Sequence, residues 1–251
     1  MSDSGNTGFY KVLSRYYHEV FPLNETALRF LKEELDRVSA RVVLDLACGI
    51  GTYSVALAKV GFSVTGTDLE ETLITLAREN ADKDRVNVRF SVSDMKDVGE
   101  SPIRYDAVIC IGNSLAHLLR DEDLRRTISG VARVLRPGGT LVVQVVNFDR
   151  VLRLGGLELP RKQTDNLVFT RRYVPDGEEQ VRFFSRLTVN GEIYDNEIKL
   201  RAVTSSVLIG LLTNEGFEPI RVFGDFNRAP YEGDSPAIVV VADRPKAGCA
   251  M

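Results

Sequence analysis

The residues best suited to chemistry are a glycine-rich loop and three aspartates. Leu44-Asp45-Leu46-Ala47-Cys48-Gly49-Ile50-Gly51-Thr52 runs from an apolar stretch into a helical pattern. Small residues at 47, 49 and 51 permit a tight turn and let a ligand lie against the backbone. A loop of this kind opening a helix is a nucleotide-type site, because the first amides of the helix are unpaired and carry the positive end of its dipole. Asp45 sits four residues before Gly49, and Asp68 follows Asp45 by 23. A carboxylate at the end of a second strand can accept two hydrogen bonds from a ribose diol. Asp94, in Ser93-Asp94-Met95, ends a third strand, where it can accept from an adenine amine. Any one of these reads equally well as a turn residue. Three at successive strand ends, beside the loop, read as one nucleoside site.

The spacing selects among nucleotides. A dinucleotide fingerprint needs Gly-x-Gly-x-x-Gly, but Gly49-Ile50-Gly51 is followed by Thr52-Tyr53-Ser54, so the glycine that allows close helix–strand packing is missing. A phosphate-binding loop would need Gly-Lys-Ser/Thr, which does not follow. A nicotinamide-dependent reductase remains as an alternative with a broken fingerprint.

Such a loop needs a strand behind it and a helix ahead of it. Arg41–Leu46 is an apolar first strand, Thr52–Val60 a helix stopped at Gly61, and Phe62–Thr67 a second strand. Leu69, Leu73, Leu76 and Ala77 predict the inner stripe of the next helix, and Val86, Val88, Phe90 and Val92 alternate as a third strand. Tyr105–Ile111 is a fourth strand. Leu124, Ile128, Val131 and Leu135 mark a helix stopped by Arg136-Pro137-Gly138-Gly139, and Thr140–Val146 is a fifth strand. This alternation predicts a doubly wound α/β fold with a mainly parallel, seven-stranded, Rossmann-like sheet, whose ligands bind beyond the carboxyl ends of the strands. After Asp149 the pattern changes. Leu167–Val174, Val181–Val189 and Ile193–Val203 are extended runs separated by Pro175-Asp176-Gly177 and Asn190-Gly191, which predicts a small antiparallel insertion. Ser205–Glu215 reads as a helix, with Phe217–Phe226 and Ala237–Ala242 as final strands. Residues 1–8 and the tail from Pro245 read as loosely attached. Upstream, Leu28, Leu31 and Leu35 set a helical stripe.

With these residues in view, LDLACGIGT, Asp68 and Asp94-Met95 resemble the class I methyltransferases that use S-adenosylmethionine. Within that class LDLACGIG, GFSVTGTD, YDAVICIGNSLAHL, VLRPGGTLVV, NFD and GDF are similar to glycine N-methyltransferase and its small-molecule relatives. The resemblance is good over residues 41–149 and patchy elsewhere. It implies S-adenosyl-L-methionine as cofactor and S-adenosyl-L-homocysteine as product. Ala47, Gly49 and Gly51 would face the methionine part, Asp68 would hold the ribose and Asp94 with Met95 would frame the adenine, with Asp45, Cys48 and Leu69 as further cofactor-binding candidates. Ile111, Asn113 and His117 would lie at the mouth; His117, one of two histidines, reads equally as a surface polar residue. Asn113, Asn147 and Tyr17 are the candidate catalytic residues, and Tyr16 a cofactor contact, since an aromatic face attracts a sulfonium. The alternative is that one tyrosine packs while the other is exposed. The implied division is an N-terminal helical segment closing the cofactor site (1–40), a cofactor-binding core (41–149), a β cap (150–203) and a segment completing the sheet (204–245).

The departures bear on the acceptor. Where the family carries an arginine for an amino-acid carboxylate, Val146 stands here, and Phe148 replaces a tyrosine. An aliphatic side chain gives no bidentate clamp, so glycine is a doubtful acceptor. The family's arginine for the cofactor carboxylate falls near Leu23, leaving Arg29 or Tyr16-Tyr17 as replacements. Arg172 or Arg182 of the cap could replace the substrate clamp. An amine acceptor needs no strong side-chain base, whereas a hydroxyl would need a base or a metal. No His/Asp/Glu cluster has metal spacing, so no metal is expected and amine transfer to a small molecule is the favoured reading. A non-catalytic S-adenosylmethionine-binding protein is the alternative of a different class.

The composition agrees with such an enzyme. The chain has 251 residues, with 32 Lys+Arg against 35 Asp+Glu and a formal charge of -3. That balance gives no footprint for nucleic acid or an anionic membrane. The arginine–aromatic alternation of the insertion (Arg171-Arg172-Tyr173, Arg182-Phe183-Phe184) is diluted by Asp176, Glu178 and Glu179. No apolar stretch approaches the roughly 20 residues of a membrane span. Three cysteines (Cys48, Cys110, Cys249) without CxxC spacing argue against a disulfide framework. The expectation is a cytoplasmic protein.

Overall fold

The computed structural model describes residue 9 and residues 12–246. The expectations for residues 1–8, for the end of the tail and for Cys249 lie outside the described residues. Chain order is α1 (Tyr17–Val20), α2 (Glu25–Arg37), β1 (Val42–Leu46), α3 (Thr52–Lys59), β2 (Ser63–Asp68), α4 (Glu71–Lys83), β3 (Val88–Val92), β4 (Tyr105–Cys110), α5 (Asp121–Val134), β5 (Leu135–Val146), α6 (Phe148–Arg153), β6 (Leu157–Gln163), β7 (Leu167–Pro175), β8 (Gln180–Val189), β9 (Glu192–Arg201), α7 (Ser205–Asn214), β10 (Ile220–Phe223) and β11 (Ala237–Asp243).

The main sheet has seven strands in the order β10-β11-β5-β4-β1-β2-β3. β1 pairs in parallel with both β2 and β4, while β11 runs antiparallel to β5 and β10. The chain winds outward from β1 in one direction and from β4 in the other. The loops after β1 and β4 are therefore left adjacent at the switch point, the place where this topology puts a ligand. β1, β4 and β11 are buried almost throughout, which is why they read as continuous apolar runs. Helix α2 starts on an Asn24 cap that accepts from the amides of Thr26 and Ala27, and it buries Ala27, Phe30, Leu31 and Leu35 at helical spacing.

The expected doubly wound α/β class is observed, with local departures. Helix α4 begins two residues later than the stripe that included Leu69. Its buried face is Ile74, Ala77 and Ala81, and Leu69 is 61% exposed beyond the strand end. Arg136-Pro137-Gly138-Gly139 does not end the helix before a separate strand; β5 already starts at Leu135, opposite Tyr105, and resumes at Thr140 opposite Ala107. The four residues bulge around Asp106, whose carboxylate Arg136 pairs with. Gly139 is required there, because a Cβ would lie 2.7 Å from the Asp106 carbonyl oxygen.

The antiparallel insertion has four strands, β6-β7-β8-β9, one more than the alternation gave. β6 contains Pro160, which an edge strand tolerates at a bulge, and its register to β7 slips between Leu159 and Lys162. Asn190-Gly191 forms the β8–β9 hairpin, with both residues at positive φ. No described helix is long and apolar enough to cross a membrane.

Candidate active site

Strand β1 delivers Asp45 into the interior, 3% exposed, where Ser54 Oγ donates to its Oδ2 at 2.6 Å. Burial, with the charge of Asp68 adding to it, pushes this carboxyl up to about 7 although the Ser54 bond opposes the shift. Beyond Leu46 the backbone turns left-handed at Ala47, Gly49 and Gly51, with φ of 60°, 57° and 75°. For Ala47 this is a strained conformation that an L-residue holds at a cost of about 1 kcal/mol. Gly51 admits no side chain, since a Cβ would meet the Phe90 ring at 2.7 Å. Gly51 caps α3, whose first residue, Thr52, has a buried hydroxyl without a partner.

Asp68 comes from the end of β2. Its Oδ2 accepts from the Gly49 amide at 2.8 Å and its Oδ1 from the Glu70 amide at 3.0 Å. The carboxylate thus fixes the loop, and each oxygen keeps one lone pair for a further donor. Asp94 caps the following turn by accepting from the Lys96 amide at 3.0 Å, and its other oxygen lies 3.2 Å from Lys96 Nζ. Met95 is partly buried against the main core, Leu69 is exposed beside Asp68, and Ile111 packs against the α2 side of the sheet. Cys48 is no nucleophile: burial, then the charges of Asp45 and Asp68, drive its thiol far up. His117 is exposed on the rim, with its pKa lowered by the surrounding protein and partly restored by Asp68.

The two tyrosines diverge. Tyr17 carries its hydroxyl to 3.2 Å from where a Gly49 Cβ would stand, so it roofs the loop. Tyr16, one helical step away, instead lines a cavity of about 240 Å³ with Arg15, Asn190, Glu192 and Tyr194, at the hairpin end of the insertion. None of the residues lining that cavity belongs to the glycine loop. A second tether was not anticipated. His18 Nε2 lies 3.2 Å from Asn80 Oδ1, and Asn80 Nδ2 donates to the Ile50 carbonyl at 2.9 Å, fastening α1 to the loop through α4.

The two asparagines hold the strand ends. Asn113, at φ 73°, accepts from the Val146 amide at 3.0 Å and so latches the end of β4 to β5. Asn147 is fully buried; its Oδ1 accepts from the Arg150 amide (3.1 Å) and the Tyr231 hydroxyl (2.9 Å), and its Nδ2 donates to the Ser235 carbonyl (3.0 Å). Those bonds tie the Asn147 side chain to the segment that precedes β11. Tyr231, which the sequence did not single out, also stands 2.7 Å from Asp149 Oδ2, and its one hydroxyl proton serves either acceptor. No local signal announces it, since 84 residues separate it from Asn147. The two cap arginines named as candidate clamps, Arg172 and Arg182, share one setting. Both lie over Phe184, at 4.4 and 4.9 Å, on the insertion's outer face, where Arg182 pairs with Glu197 at 2.6 Å.

This geometry suits a nucleoside joined to a short polar tail. The left-handed loop gives close backbone approach, Asp68 retains acceptor capacity, Leu69 offers an exposed apolar surface, and the Thr52 hydroxyl lacks a partner. Residues 43–139 match the family model described as "Methyltransferase domain". The chain is 31% identical over 221 residues to the glycine/sarcosine N-methyltransferase of Aphanothece halophytica, covering 86% of this chain and 80% of that one. It is 32% identical over 207 residues to that of Parasynechococcus marenigrum, covering 80% and 70%. Among solved structures, an S-adenosylmethionine-dependent methyltransferase from Clostridium acetobutylicum superposes with a TM-score of 0.80 at 15% identity, over 94% of this chain and 99% of that one. The chain belongs to the S-adenosylmethionine-dependent methyltransferases.

Proposed function

We propose that the enzyme methylates an amine nitrogen of a small molecule. The carrying observation is the roof: Tyr17 covers Gly49, and the aromatic contacts from Tyr17 to Phe21 (5.0 Å) and from Phe21 to Phe169 (5.6 Å) join it to the insertion. A site closed on that side admits a small acceptor more readily than a polymer. The names of the glycine/sarcosine N-methyltransferases support nitrogen as the atom methylated.

S-adenosylmethionine supplies a sulfonium-bound methyl group whose transfer cancels the charge on sulfur. Asp68 would accept from the ribose hydroxyls while holding the Gly49 amide, and Asp94, Met95 and Leu69 would frame the adenine. The left-handed turn from Ala47 to Gly51 would carry the methionine part along its backbone, and the Tyr17 hydroxyl stands over Gly49. Asn113 and Asn147 keep the ends of β4 and β5 in register, fixing the wall from which an acceptor is presented. Holding the two reactants at attack distance in a water-poor site supplies much of the acceleration for an in-line displacement. An amine arriving neutral needs no side-chain base to attack.

Val146 is 9% exposed at the end of β5, with its amide bonded to Asn113, and offers no cation there. Glycine held in the manner of the family's arginine is therefore not the acceptor we favour. The test incubates the enzyme with methyl-labelled S-adenosylmethionine and a metabolite extract supplemented with glycine and sarcosine, then searches for labelled products by mass spectrometry. A labelled amine supports the reading; label on oxygen alone, or donor binding without any product, overturns it.

A further inference from the structure

The cations of the antiparallel insertion differ in their partners, and Arg172 on the outer face stacks on the Phe184 ring. On the outer face Arg182, Arg186 and Lys199 each meet a carboxylate, Glu197 at 2.6 Å, Asp195 at 2.7 Å and Asp176 at 2.9 Å. The inner face carries Arg171 and Lys162, and neither forms an ion pair with a carboxylate among the described residues.

Their placement follows from strand alternation. Phe169, Arg171 and Tyr173 share one face of β7. Phe169 is 2% exposed and meets the Phe21 ring edge-on; Tyr173 is 4% exposed and meets the Phe148 ring edge-on at 5.9 Å. Phe21 belongs to the segment that roofs Gly49, and Phe148 follows directly on the end of β5. Arg171 stands between these contacts on the same face of β7, with its guanidinium 5.2 Å from the Phe169 ring centroid. Lys162 pairs opposite Phe169 in the sheet, lies 5.0 Å from the Phe21 ring centroid and donates to the Val20 carbonyl.

The guanidinium is under-satisfied. One terminal nitrogen donates to the Pro160 carbonyl at 3.4 Å, and the buried Nε has no acceptor among the described residues. Burial lowers the pKa of Arg171 and of Lys162, and the Arg171 charge lowers that of Lys162 further. Two neighbouring cations, partly desolvated and with a donor left open, are costly unless an anion completes them. An arginine fork beside a lysine matches a carboxylate or a phosphate.

We propose that Arg171 and Lys162 form the anion-binding wall of the acceptor site, so that the acceptor is an amine bearing a carboxylate or phosphate group. The assignment of that anion to the acceptor rests on the small-amine reading above. It supplies from the cap the clamp that Val146 cannot provide, and it does so from Arg171 rather than from Arg172 or Arg182.

The test has two arms. In the first, acetate and inorganic phosphate are titrated by calorimetry, at fixed ionic strength, into the enzyme loaded with S-adenosylhomocysteine. Saturable binding of one anion is expected, weakened at least about tenfold in Arg171→Gln and in Lys162→Gln, with S-adenosylhomocysteine affinity unchanged. Arg171→Lys, which keeps the charge and loses the fork, should fall between. Acetate preference names a carboxylate and phosphate preference a phosphoryl group. No binding, or equal binding by the variants, overturns the proposal.

In the second arm, methyl-labelled donor is offered with glycine, sarcosine and phosphoethanolamine, each beside a neutral counterpart (glycinamide, sarcosinamide, ethanolamine). Preferential labelling of an anionic amine, with KM rather than kcat raised in Arg171→Gln, supports the acceptor assignment. Equal labelling of the neutral partners overturns that assignment. Anion binding with no labelled amine leaves the anion site standing and removes the amine-transfer reading instead.

Discussion

The Tyr17 hydroxyl stands 3.2 Å from the point where a Gly49 side chain would begin. The loop is therefore short of space from the solvent side, and its left-handed φ of 57° disfavours a Cβ from the backbone side. Gly49→Ala should fold with a loss of about 1–2 kcal/mol and bind S-adenosylmethionine at least tenfold more weakly. Tyr17→Phe should keep the fold and lose less affinity. Calorimetry on the two variants separates them, and an unchanged Gly49→Ala affinity would place the donor elsewhere.

Asp68 serves the loop and the ligand together. Asp68→Ala leaves the Gly49 and Glu70 amides without their acceptor as well as removing the ribose contact, so cofactor affinity should fall more than tenfold. Asp68→Asn keeps one acceptor oxygen and should retain part of the affinity. If both variants bind as tightly as the parent, the ribose is not held by this residue.

The buried Asp45 gives the protein a pH signature. Its folded-state pKa of about 7 lies above the ordinary carboxyl value of 3.8, so the folded state holds the proton more tightly than the unfolded one. Its contribution to stability is thus fully present below pH 3.8 and is lost as pH rises toward 7, by at most on the order of 4 kcal/mol. Asp45→Asn should remove that slope. Denaturant unfolding of the cofactor-free protein between pH 5 and 8, about three decades that span the shifted value, would show it.

Glu34 acts in the opposite sense. It is 1% exposed; burial would raise its pKa, but hydrogen bonds from Arg221, Arg37 and Arg228 prevail and hold it at about 2 against an ordinary 4.5. Its stabilisation is present above pH 4.5 and disappears as pH falls toward 2. Glu34→Gln leaves three guanidinium groups facing an uncharged amide and should cost about 3 kcal/mol at neutral pH. Acid unfolding followed by circular dichroism should then show a shallower descent than in the parent.

Much of the core was legible because burial writes itself into apolar runs and spacing: β1, β4 and the glycine loop follow from their own residues. What escaped depends on partners far away in the chain. β6 hides behind Pro160 because an edge strand can forgo one amide. The bulge at residues 136–139 is visible only against Asp106. The three aspartates of the candidate site were legible as strand-end carboxylates, whereas the hydrogen-bond partners of Asn147, Tyr231 and Ser235, lie more than 80 residues on. In the insertion, alternation separates Arg171 from Arg172 but does not say which face turns inward; Phe21 and Phe148 decide that.

The roof also dictates an itinerary. Val20, next to the residues that cover Gly49, is buried in one apolar cluster with Phe169 and Leu187 of the insertion. Lifting Tyr17 to admit a donor therefore drags on the wall that an acceptor would occupy. Turnover should be compulsory-ordered, with the donor entering first and its spent form leaving last, and a resident acceptor should retard donor entry.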